Sequence, residues 1–68
     1  MNWHYQVMRH VEPDGETWYG IHEFYPSEGV GGWTVDPVEV TSVDLENIRW
    51  QLEAMLSDLN RHGVKDYQ

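Results

Sequence analysis

The stretch Glu12-Pro13-Asp14-Gly15-Glu16 (EPDGE) decides how the chain on either side of it pairs. Proline pre-sets the first central position of a type I turn, and Gly15 accepts the left-handed conformation that follows. A short loop of this kind, closed by a glycine bulge, joins two antiparallel strands. Setting Glu12 opposite Glu16 fixes the register by counting. Val11 then meets Thr17, Arg9 meets Tyr19, Val7 meets Ile21, Tyr5 meets Glu23 and Trp3 meets Tyr25.

Both flanks read as strands. WHYQVMRHV, residues 3–11, alternates with period two, and WYGIHEFY, residues 18–25, has the aromatic density of a strand. On the counted register one face carries Trp3, Tyr5, Val7, Val11, Tyr19, Ile21 and Tyr25, with Arg9 and Glu23 as polar exceptions. The other carries His4, Met8, His10, Trp18, Gly20, His22 and Phe24. Neighbouring strand residues point to opposite sides, so the adjacent His22 and Glu23 are split between the faces. Glu23 is expected to hold Tyr5, Arg9 or the helix end.

Further along, PSEGVGG (26–32) reads as a loop. WTVD (33–36) reads as a short third strand stopped by Pro37, and Val38 to Val40 as an extended connection. The helix is the clearest element. Ser42 or Thr41 supplies its N-cap, Asp44 and Glu46 suit its positive end, and Gly63 is its stop. Leu45, Ile48, Leu52, Met55, Leu56 and Leu59 recur at helical spacing as one apolar stripe. The expected fold is α+β: a three-stranded antiparallel meander (β-β-β-α) with one C-terminal helix packed by its leucines on the Val/Ile/Tyr face. Residues 1–63 form the domain and 64–68 a short flexible tail.

A 68-residue chain buries a marginal core and usually needs a disulfide, a metal or a partner. With no cysteine, disulfides and thiolate zinc sites are out, which adds weight to association. No run approaches the ~20 apolar residues of a membrane span, and Met1-Asn2-Trp3-His4 does not begin a signal peptide, so a cytoplasmic protein is expected. The formal net charge of −8 opposes direct nucleic-acid binding but attracts a basic protein.

One helix covers one face, and the other is expected to stand open. Its residues His4, Met8, Trp18, His22 and Phe24 are the expected protein-binding set, since apolar patches of that kind are contact surfaces. Trp50 lies at about 140° from Leu45 on the helical wheel, off the stripe, and joins them as a second contact. Glu12, Asp14, Glu16, Glu46 and Glu53 form the expected acidic docking surface, one that would mimic phosphates.

Other chemistries weigh less. His4 and His22 come out as diagonal neighbours with no third ligand, and His10 as too distant to join them, so no metal and no cofactor is expected. Three histidines on one face would still gain charge together near pH 6. No Gly-rich phosphate loop, GxSxG or HExxH pattern occurs, and so small a domain is expected to lack a ligand-sized pocket of ~300 Å³ unless a second chain helps, so no enzyme is expected.

The hairpin Trp18 to Tyr25, the segment Trp33-Thr34 with Pro37, and the helix Ile48 to Leu59 together resemble a family of short bacterial and phage-associated proteins. That family combines a WYxIHExYY-type hairpin, a W-T-x-x-P segment and a terminal L-x-x-x-L-x-x-M-L helix. The resemblance implies a fold and carries no activity. The layout is also similar to part of the HicB-type antitoxin fold, whose first helix is absent here, so antitoxin function is not carried over. The functional expectation is a non-catalytic acidic protein-binding module acting through its open aromatic/His face, as a homodimer or a subunit of a complex. One alternative is a phage-type inhibitor docking on a basic, nucleic-acid-handling protein complex. Another is a His-based metal-binding or pH-responsive protein.

Overall fold

The computed structural model describes residues 2–26 and 31–67. Its first strand, β1 (His4–Val11), turns through EPDGE into β2 (Thr17–Tyr25). Gly15 takes a φ of 91°, and the amide of Glu12 donates to the carbonyl of Glu16 at 2.8 Å. The register is the one counted from the turn: Val11 with Thr17, Val7 with Ile21, Tyr5 with Glu23.

The third strand is shorter than WTVD. β3 (Gly32–Trp33) pairs only Trp33 with Phe24 and Gly32 with Tyr25. The chain then follows β2 irregularly, with the Thr34 amide on the Glu23 carbonyl and the Val38 amide on that of Ile21. Pro37 has no amide to donate, so regular pairing cannot run through it. Of the expected loop 26–32, residues 27–30 lie outside the described residues.

The helix, α1 (Leu45–His62), is capped by Asp44, whose side chain accepts from the Glu46 amide. Ser42 and Thr41 are therefore not the cap. Ser42 instead accepts from the Asp44 amide, one step upstream. Gly63, with φ 68°, ends the helix and donates to the Leu59 carbonyl, as its position predicts.

Two features differ from the expected fold. Residues 64–66 are no loose tail: β4 (Val64–Asp66) pairs in parallel with β1, Val7 to Val64 and Arg9 to Asp66, giving a mixed sheet ordered β3-β2-β1-β4. Gln68 lies outside the described residues. The strand was missed because Val-Lys-Asp is too short to show a period. Its partner edge exists only once β1 is in place.

The second difference is the direction in which the sheet closes. Four strands about 4.8 Å apart would hold the edges of a flat sheet roughly 14 Å apart. Here the rings of Trp33 and Tyr67, from opposite edges, stand 6.1 Å apart, and the Tyr67 hydroxyl donates to the Val35 carbonyl at 3.2 Å. The sheet is curled, and its concave side is the His/Met/aromatic face. Gln6, Met8, His10, His22 and Phe24 are all buried there. The face read as open supplies most of the interior, with Trp18 at its outer end 38% exposed and Tyr5 buried on the opposite face.

Tyr67 links the two edges, so it should matter as a core residue does. Tyr67→Ala is expected to lower stability by about 2 kcal/mol, under the ~3–5 kcal/mol of a fully enclosed aromatic because Tyr67 is half-buried. Thermal melting that leaves the variant level with the parent would contradict the closed sheet.

Candidate functional site

The residues singled out in the sequence divide into an interior group and a surface group. In the interior, His10 and His22 form the centre. Their Nε2 atoms lie 2.9 Å apart, and Nδ1 of His22 lies 2.8 Å from the Thr34 carbonyl. A carbonyl only accepts, so Nδ1 of His22 carries the proton. In the neutral ring Nε2 is then the acceptor, and His10 donates from its own Nε2. The expected diagonal pair was His4 with His22, with His10 too far away. The register does put His10 opposite Trp18 and His22 opposite Gln6. Curling shortens that diagonal, and a flat-sheet distance overestimates it.

Aromatic rings enclose the pair. His10 lies between Trp18, at 3.8 Å between centroids, and Tyr67, at 4.2 Å. Phe24 stacks near Trp33, and the Lys65 ammonium sits 5.4 Å over the Phe24 ring. Gly20 leaves room beneath this group, since a Cβ there would come within 3.1 Å of Pro37. A glycine inside an otherwise aromatic strand is the signal in the sequence for such a close approach.

His4 goes elsewhere. Its ring stacks on His62 of α1 at 3.6 Å, and its Nδ1 lies 2.9 Å from the Tyr5 carbonyl. Beside this stack opens a cleft of ≈ 660 Å³, bounded by Trp3, His4, Asp58, Arg61 and His62 among others. One chain therefore carries a shallow, solvent-open concavity of that size. Of its polar groups, Asp58 accepts the Tyr5 amide at 2.9 Å and His4 Nδ1 is taken up by the Tyr5 carbonyl, and among the described residues no hydroxyl or thiol lines the cleft. Among the described residues no three His, Asp or Glu side chains gather as a metal would need.

The surface group contains the helix. The Asp58 bond to β1, the His62 stack on His4 and the bond from Gln6 Nε2 to the Gly63 carbonyl at 2.8 Å fix how α1 is rotated. That rotation buries Met55, leaves Ile48, Gln51 and Ala54 half-buried, and turns the leucines outward. Leu45 is 74% exposed, Leu52 54%, Leu56 61% and Leu59 36%. The leucine stripe therefore does not pack on the Val/Ile/Tyr face, and Val11, Tyr19 and Tyr25 on that face are exposed. A helical wheel identifies an apolar side but not whether the sheet takes it.

Trp50 is exposed, as a contact residue would be. Glu12, Asp14, Glu16, Glu46 and Glu53 are exposed too. Two of the turn carboxylates are engaged locally, Glu12 with the Trp18 indole at 2.7 Å and Asp14 with the Glu16 amide at 2.9 Å. Arg9 pairs with Asp66 at 2.9 Å, and Glu23 accepts from the Tyr25 hydroxyl. No helix among the described residues is long and apolar enough to cross a membrane.

These features define a small α+β domain with an interior of histidines and aromatics and an apolar helix side turned to solvent. No protein-family model matches the chain, and neither curated proteins nor solved structures offer a significant match.

Two histidines, the buried His10 and the surface His62, make a pH prediction. Burial, then the neighbouring His22, lowers the proton affinity of His10, against an opposite pull from Glu12. Burial, then His4, lowers that of His62, opposed by Asp58. Both groups fall below their ordinary 6.5 on folding, so below that pH the unfolded chain binds protons that the native state refuses. Stability from this source is complete above about pH 6.5 and declines as the pH falls through it. Melting temperatures between about pH 7.5 and about pH 5.5 should drop on acidification, and His10→Phe should flatten the slope. A parental profile without that drop would count against the histidine interior.

Proposed function

We propose that this chain is a non-catalytic, acidic protein-binding module whose contact surface is the leucine side of α1. The observation that carries the reading is the exposure of Leu45, Leu52 and Leu56 on one helix. Contiguous apolar surface of that kind on a small domain is a contact surface more often than a solvent face. The sheet face first expected to bind is occupied from within by Tyr67 and Trp33, so the contact moves to the helix. Trp50, also exposed, lies about 140° from Leu45 on the helical wheel and so stands outside such a contact. An inhibitor that mimics phosphates has the net charge of −8 in its favour. Against it, Glu12 and Asp14 are tied into their own turn.

The test is photo-cross-linking in cells. A photoreactive side chain replacing Leu56 is expected to give adducts of one discrete mass. The same group replacing Glu16 at the hairpin tip should give none. If the tip labels a partner and the helix does not, the contact surface lies on the acidic turn, and the leucine reading fails.

A further inference from the structure

We infer that the leucine side of α1 is a self-association surface, and that two copies pair their helices antiparallel about a twofold axis passing near Leu52. The inference rests on the reading of this side as a contact surface and names its occupant.

The spacing of the apolar residues supports a second copy. Counted from Leu52, they fall at −7 (Leu45), −4 (Ile48), 0, +4 (Leu56) and +7 (Leu59). The row therefore reads the same in both directions. A twofold axis between antiparallel helices demands this, because every contact of residue i with residue j is repeated as j with i. On that axis Leu45 meets Leu59 of the other copy, Ile48 meets Leu56, and Leu52 meets its own equivalent. A foreign partner would place no such demand on the spacing.

Exposure agrees with the pairing. The four leucines of the row are turned to solvent and Ile48 is half-buried at its edge, while Met55, which breaks the palindrome, is 6% exposed and belongs to the chain's own core. From Leu45 to Leu59 the row runs about 21 Å at ~1.5 Å per residue, along most of the 18-residue helix.

Charge is complementary locally. Arg49 and Glu53 border the row on one side, and the same axis brings Arg49 of each copy beside Glu53 of the other. Arg49 is free for that role, since its contact with Glu46 in its own helix is loose at 3.9 Å and exposed. Globally the two copies repel, each carrying −8. Salt screens that repulsion over a Debye length of ~8 Å at physiological ionic strength. Added salt should therefore tighten the self-pair, whereas a basic foreign partner would be loosened by it.

The chain has no cysteine, so single cysteines report the geometry cleanly. In the purified protein, Leu52→Cys is expected to oxidise readily to a covalent pair of twice the 8.0 kDa chain mass. Leu45→Cys alone should not, because its two copies lie about 21 Å apart along the pair, far beyond the ~4.4–6.8 Å that a disulfide spans between Cα atoms. A mixture of Leu45→Cys and Leu59→Cys should cross-link to each other. Leu52→Lys should leave the circular dichroism of the chain unchanged and weaken association by more than about tenfold in sedimentation equilibrium.

A parent chain that stays at 8.0 kDa up to near-millimolar concentration overturns the self-pairing. So does Leu45→Cys oxidising as fast as Leu52→Cys, which would mean parallel or random contact. These failures are distinct from failure of the contact surface itself. A monomer whose Leu56 position still cross-links to a different protein in cells would lose the second copy as occupant and keep the surface.

Discussion

The placement of Tyr67 is the constraint on which the interior depends. Its amide donates to the Arg9 carbonyl at the end of β4, its ring covers His10, and its hydroxyl reaches the Val35 carbonyl beyond the far edge strand. One residue thus bridges the two sheet edges. The closure turns a strand face that would otherwise be wet into a core. It also explains how a domain this small tolerates buried polar side chains. His22 is satisfied on both ring nitrogens, and Gln6 donates to the Val7 and Gly63 carbonyls while its Oε1 has no partner among the described residues. Burying such groups is tolerable only when their hydrogen bonds are made.

A second consequence falls on the helix. With the core filled from inside the curl, the sheet needs less apolar cover from α1. The helix is held against β1 largely by polar contacts, Asp58 to the Tyr5 amide and Gln6 to the Gly63 carbonyl, with Met55 as the buried apolar residue. These contacts set the rotation about the helix axis. Turning the helix to bury Leu52 and Leu56 would break the Asp58 bond and strip its charge of the amide that satisfies it. The rotation that keeps the Asp58 bond is therefore also the one that leaves the leucines outside. A charged acceptor bonded to a buried strand edge is costly to leave unmade.

Much of the fold was legible in the chain. EPDGE specified the turn and, through it, the pairing of Tyr5 with Glu23 and Val7 with Ile21. The period of two sorted the residues onto two faces, the leucine spacing gave the helix, and Gly63 gave its end. Less of the candidate site was legible. Membership of the faces was right, yet the face read as open holds most of the interior, while the other face buries Tyr5 and leaves Val11, Tyr19 and Tyr25 exposed. Aromatic, methionine and histidine side chains in a strand look alike whether they bind a partner or one another. Gly20, facing Pro37, was the local hint of an interior.

Sequence alone determined what is local: the turn, the register that follows by counting, the amphipathic helix, and the symmetric apolar row centred on Leu52. These depend on interactions within a few residues, whose geometry the backbone fixes. Tertiary structure decided what is not local: that 64–66 adds a parallel strand to β1, that the sheet curls toward its histidines, that His10 rather than His4 meets His22, and that the leucines look outward. Each of those depends on contacts between segments separated by tens of residues. Such contacts exist only once those segments have met, and no periodicity in the chain encodes on which side they will.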